Sequence, residues 1–206
     1  MTGMAVPPPS AELEAAWSVL APEAKRARLL KAAADVFVRD GIDAPMPAVA
    51  AAAGAGMGSV YRQFPSKREL LAELVVSRLE EVARAADDAA GQKCDPWSAL
   101  GDLLWALAER QAGDDIYGEA MNSVSDHPAV TAATDRANAA IERLLAAARA
   151  DGRLRDDATI LDIRLIFAAT RAAKQVEADA WRRILALLID ALDGQAPARE
   201  VGNSAT

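Results

Sequence analysis

With 206 residues, 52% of them apolar and 26% charged, the chain is long enough and apolar enough to bury a core, which excludes an intrinsically disordered segment. One cysteine, Cys94, and one histidine, His127, exclude an internal disulfide and a four-ligand zinc site of Cys and His. The net charge of −7 argues at first against nucleic acid, yet residues 21–70 carry eight Lys/Arg against five Asp/Glu and residues 71–206 carry fifteen against twenty-three, a basic head on an acidic body.

Ala, Leu, Glu and Arg dominate while aromatic residues are 4%, so an all-α chain is predicted. Residues 1–20 open it as a flexible tail. "MTGMAVPPP" is proline-rich, and "SAELEAAWSVL" allows a short helix with Ser10 as cap and Leu13, Trp17 and Leu20 on one side. This start has no basic n-region, so no export signal is predicted, and a lone cysteine fits a reducing cytoplasm. A firm helix follows over 22–40, with Pro22 in its first turn, Leu29, Ala33, Val36 and Phe37 at helical spacing, and Gly41 as its stop. A second spans about 46–53, nearly all alanine around Val49, with Pro45 and Pro47 tolerable only at its start. Residues 58–64 form a short third helix ended by Pro65. Ser66 and Glu69 then set a capping box for a long fourth helix from 67 to about 89.

The rest of the chain repeats this pattern. After a linker, "GQKCDP", a helix opens at Asp95-Pro96 with Trp97, Leu100, Leu104 and Leu107 on one stripe, and Gly113 breaks it. A short helix over 116–124 follows, then a long one from Pro128 with Val130, Ala137, Ile141, Leu144 and Ala148 aligned. "ADGRLRDD" is a turn, 158–176 the next helix, and the last helix sets Trp181, Ile184, Leu185, Leu188, Ile189 and Leu192 on one broad face. No strand pattern and no internal repeat occurs. Residues 44–61 are uncharged, but two prolines and three glycines interrupt them, so no membrane span is predicted.

The stretch "AAAGAGMGSVYRQF", residues 51–64, is the informative one. A dinucleotide fingerprint needs G-x-G-x-x-G between a strand and a helix; here Ser59 stands where the third glycine belongs, and "AVAAAA" before it forms helix, not strand. A linker is excluded by the ordered helices close on both sides. What remains is a helix-turn-helix: Gly54 supplies the positive φ of a tight turn, Val60 and Phe64 turn inward, and Met57, Ser59, Arg62 and Gln63 face outward. Short polar chains, an arginine and an amide can read major-groove edges, while Tyr61 and Lys67 suit phosphate contact.

"RARLLKAAADVFVRDGIDAPMPAVAAAAGAGMGSVYRQFPSKREL" resembles the DNA-binding domain of the tetracycline-repressor (TetR) family, through Arg26, Leu29-Leu30, Ala33, Phe37, Gly41, Val49-Ala50, Ala53-Gly54, Gly58-Ser59-Val60-Tyr61, Phe64 and Ser66-Lys67. The resemblance implies a homeodomain-like three-helix head over 21–68, a helical regulatory and dimerisation domain over 69–195, and a C-terminal tail over 196–206. It implies that Arg26, Ser59, Tyr61 and Lys67 serve DNA contact and that Met57, Gly58, Arg62 and Gln63 set sequence preference on a near-palindromic double-stranded operator. Two positions depart from the pattern: Ala44-Pro45 stands where Thr or Ser usually opens the second helix, and Gly56 where a polar residue is usual.

The same resemblance implies a homodimer through the last two long helices, with Ala169, Ala172, Trp181, Ile184, Leu185, Leu188, Ile189 and Leu192 as its face. It also implies a small-molecule inducer bound in the body, for which Trp97, Leu104, Trp105, Tyr117, Met121, His127 and Phe167 are candidates. The implied function is a cytoplasmic, ligand-released repressor that is not an enzyme and needs no metal or cofactor. Two competing readings are a DNA-binding dimer without ligand response and a helical enzyme or carrier using Cys94 or His127. At its helix start, His127 suits a cap or a surface role.

Overall fold

The computed structural model describes residues 17–91, 95–113 and 115–195. The Ser10-capped segment with Leu13, the Cys94 linker and the C-terminal tail lie outside them. The described residues form helices α1 (Pro22–Asp40), α2 (Met46–Ala53), α3 (Met57–Gln63), α4 (Lys67–Gly91), α5 (Pro96–Ala112), α6 (Asp115–Val124), α7 (Pro128–Ala150), α8 (Ile160–Val176) and α9 (Ala180–Leu192). Among the described residues no β-strand occurs, only an isolated antiparallel bridge between Leu154 and Asp193.

The all-α prediction therefore holds, with helix ends shifted by a residue or two. α1 begins with Pro22 at its first position and ends where the Gly41 amide donates back to the Phe37 carbonyl. α2 starts without a side-chain cap, as its Pro45 implies. The predicted capping box of α4 is half made: the Glu69 amide donates to Ser66 Oγ at 3.2 Å, while the Glu69 carboxylate lies 3.4 Å from His127 Nε2 instead. At the start of α8 the Asp162 carboxylate accepts from both the Thr159 amide, at 2.7 Å, and the Thr159 hydroxyl, at 3.0 Å.

Two compact units result. Of the described residues, one unit holds those up to Glu80 and from Asp115 to Asp135; the other holds those from Glu81 to Gly113 and from Arg136 onward. In the first, α1 packs on α2, α2 on α3, and α6 on α1. Leu29, Phe37, Val49, Val60, Phe64, Leu70 and Val75 are all but sealed from solvent there, and Trp17, the first described residue, is buried too. In the second, α9 packs along α8 and both meet α5. Its core includes Leu100, Leu104, Leu144, Leu145, Ile163, Ile166, Trp181 and Leu185. The bridge closes this unit: the Gly194 amide donates to the Arg153 carbonyl at 2.7 Å, and a Cβ on Gly194 would stand 3.1 Å from the Arg155 nitrogen. A side chain there would need the neighbouring backbone to give by a few tenths of an ångström.

Candidate nucleic-acid interface

α2 ends in a Schellman motif. The Ala55 amide donates to the Ala50 carbonyl at 2.9 Å and the Gly54 amide to the Ala51 carbonyl at 3.1 Å, with Gly54 left-handed at φ 68°, ψ 30°. This is the turn that the sequence assigned to Gly54. It leads into α3 through Gly56, whose extended backbone starts the helix without a side-chain cap. α3 has seven residues and buries Val60 alone; Phe64 follows it, 1% exposed, and both turn inward as the spacing implies.

The outer surface of α3 then carries the side chains singled out for DNA. Tyr61 is 48% exposed, Gly58 and Arg62 are exposed, and Met57, Ser59 and Gln63 are half-buried. Arg62 Nη2 donates to Ser59 Oγ at 2.8 Å, so these two hold each other on one face. Lys67, at the first position of α4, is half-buried with its ammonium 5.7 Å from the Phe37 ring.

Charge is distributed unevenly around this surface. Lys31 pairs with Asp35, Arg39 with Asp40, Arg26 with Glu73 and Arg68 with Asp126. The guanidiniums of Arg39 and Arg68 hold the Asp40 and Asp126 carboxyls below the usual carboxylate range. Among the described residues, no carboxylate pairs with Arg62 or Lys67. Arg62 and Lys67 thus remain uncompensated, whereas Arg26, Lys31 and Arg39 of α1 are each matched by a carboxylate. Arg26 is placed differently from the other seven residues: it comes from α1 and lies over the Phe64 ring at 4.4 Å.

Matches to known proteins agree with this geometry. A family model described as "Bacterial regulatory proteins, tetR family" matches residues 29–74, and one described as "Transcriptional regulator SbtR-like, C-terminal domain" matches residues 95–194. The chain belongs to the TetR family of transcriptional regulators. An uncharacterized HTH-type transcriptional regulator of Mycobacterium tuberculosis is 32% identical over 97 residues, 47% of this chain and 49% of that protein. The chain thus spans about half the length of the curated relatives it matches. A TetR regulator from Streptomyces coelicolor shares the fold with a TM-score of 0.63 at 23% identity, covering 83% of this chain and 99% of that one. SmeT, repressor of a Stenotrophomonas maltophilia multidrug efflux pump, has a TM-score of 0.62 at 23% identity over 83% of this chain and 91% of its own, and has been solved with triclosan.

Within this TetR fold the predicted ligand residues fall into two groups. Trp97, Leu104, Trp105 and Phe167 belong to the second unit and Tyr117, Met121 and His127 to the first. Leu104, 1% exposed, is sealed in the core. His127 has a structural task, its Nδ1 accepting the Ala129 amide at 3.3 Å as a cap on α7. Trp105 packs 6.0 Å from Trp181, Trp97 lies under the Arg153 guanidinium, and the Phe167 carbonyl accepts from Gln111 Nε2 at 3.0 Å. The residues of the predicted dimer face differ in burial within the single chain. Trp181, Leu185 and Leu192 are 3%, 0% and 5% exposed because α9 turns them into its own core. Ala169, Ile184, Leu188 and Ile189 are half-buried and Ala172 is exposed. The apolar side chains left outside are Leu161, Leu165, Val176 and Leu187, which the sequence reading did not select.

Proposed function

We propose that the protein is a sequence-specific, dimeric DNA-binding repressor acting in the cytoplasm and released from its operator by a small molecule. The observation that carries the DNA step is the surface of α3: an exposed Tyr61 beside Arg62 and Lys67, neither matched by a carboxylate, on a helix set by the Gly54 turn. Phosphate contact by Tyr61 and Lys67 would hold the register, and Met57, Gly58, Ser59, Arg62 and Gln63 would meet base edges. The functional head is residues 21–68 and the regulatory part 69–195. A dimer would present two copies of α3 to successive major grooves about 34–36 Å apart, joined through the outer faces of α8 and α9. The match to a TetR-type C-terminal model, and the triclosan complex of SmeT, support a small-molecule response in the second part. Its half-buried aromatics Trp97, Trp105 and Phe167 are the proposed contacts.

Selection from fragmented genomic DNA by the purified protein tests the reading, followed by gel shift of the recovered site. Lys67→Ala is expected to weaken binding on all duplexes alike and to reduce the slope of log affinity against log salt by about one. Tyr61→Ala should weaken it too. Unchanged affinity in both variants would place the DNA surface elsewhere. A compound that raises the melting temperature and also frees the operator would establish induction.

A further inference from the structure

We propose that Arg26, backed by Glu73, is a positioning residue for DNA recognition: it fixes the C-terminal end of α3 and does not itself meet phosphate. The inference rests on the DNA-binding reading above. α3 is too short to be stable by itself, since isolated helices under ~12–15 residues are marginal in water. Its seven residues bury only Val60. At its end Phe64 is extended (φ −135°, ψ 97°) and Pro65 follows, so the last carbonyls of α3 have no further helical amides to accept from.

One guanidinium meets this deficit. Arg26 Nη1 donates to the Gln63 carbonyl at 3.1 Å, its plane lies 4.4 Å over the buried Phe64 ring, and Nη2 and Nε reach the two Glu73 carboxylate oxygens at 3.1 and 3.3 Å. A single side chain from α1 thus holds the end of α3, the residue that follows it, and α4. A cation near a helix C-terminus is also favoured by the helix dipole. Lysine offers a point charge without the planar fork, so it cannot make these contacts together. These contacts take three of the five guanidinium N–H groups, one from each nitrogen, and Glu73 matches the charge.

Phosphate contact and positioning predict opposite signs at Glu73. If only charge near the DNA mattered, Glu73→Gln would raise affinity by removing an anion. If Glu73 holds the clamp, the same change loosens α3 and lowers it. Full-length Arg26→Gln, Arg26→Lys, Glu73→Gln and the Arg26→Gln/Glu73→Gln double variant are to be titrated against the site selected by the wild type and against an unrelated duplex, across a salt series. Both single neutral variants are expected to lose about tenfold on the selected site, with unrelated-duplex affinity and salt slope unchanged. Arg26→Lys should lose nearly as much, and the double variant no more than Arg26→Gln alone. Selective loss of specific binding is a signature that general destabilisation of the protein would not give.

The proposal is overturned if Arg26→Gln reduces the salt slope by about one while Glu73→Gln binds more tightly. It is also overturned if Arg26→Lys binds as the wild type does, or if all variants do. Failure of the wild type to select any DNA would sink the DNA-binding reading itself, an outcome distinct from a wild type that selects a site while its variants match it.

Discussion

Gly54 and Gly56 stand two residues apart and carry opposite constraints. Gly54 is left-handed and completes the Schellman motif of α2, whereas Gly56 is extended at φ −72° with open space where a Cβ would go. Gly54→Ala should therefore cost about 1–2 kcal/mol, while Gly56→Ser should add a few tenths of a kcal/mol by giving the first α3 amides a hydroxyl acceptor. Urea unfolding of the two variants checks both; equal effects would contradict the assigned backbone roles. The first role was legible, because a glycine after an alanine-rich helix and before a second apolar pattern has few other uses. Arg26 was not. Sequence supplies its charge but not the direction it takes, and the partners that decide its role, Gln63 and Glu73, are 37 and 47 residues away.

At the scale of the helix, periodicity gave the face of α9 but not what covers it. Trp181, Ile184, Leu185, Leu188 and Leu192 do share one side, as a 3.6-residue period requires, and α8 and α5 pack along that helix. The stripe that stays outside runs along α8 through Leu161, Leu165, Ala168, Ala172 and Val176, joined by Leu187 of α9, where several small residues interrupt the apolar signal. Two substitutions separate the faces. Leu165→Glu, at a side chain 58% exposed, should leave the helical content intact and shift a micromolar sample from dimer to monomer in sedimentation velocity. Leu185→Ala, at a fully buried one, should cost about 2–5 kcal/mol. A Leu165→Glu protein that sediments unchanged would remove this face from the dimer proposal.

At the scale of the whole chain, α4 and α7 each run from one compact unit into the other, and one ion pair and one hydrogen-bonding contact fasten the start of α4 to the α6–α7 corner. Arg68 Nη2 meets Asp126 Oδ1 at 2.6 Å, and Glu69 Oε1 lies 3.4 Å from His127 Nε2. Composition could show a basic head, but not that residues 115–135 return to it, because that grouping depends on pairs 58 residues apart. The Arg68 pair has a pH signature. Its hydrogen bond keeps the Asp126 carboxyl below the usual carboxylate range in the folded protein, so it adds stability above the unfolded aspartate pKa of about 3.9. That contribution is lost as pH falls through the lowered folded value. Asp40, Asp95 and Asp157 are shifted in the same direction, but they are common to both proteins and cancel when Asp126→Asn is compared with the wild type. The urea midpoint of Asp126→Asn should lie slightly below that of the wild type at pH 7, and the gap should close as pH drops below about 4. With the Asp126 side chain 77% exposed, the gap should also shrink in high salt, as an exposed ion pair requires. A gap independent of pH would mean that the Asp126 carboxylate does not stabilise the corner through its charge.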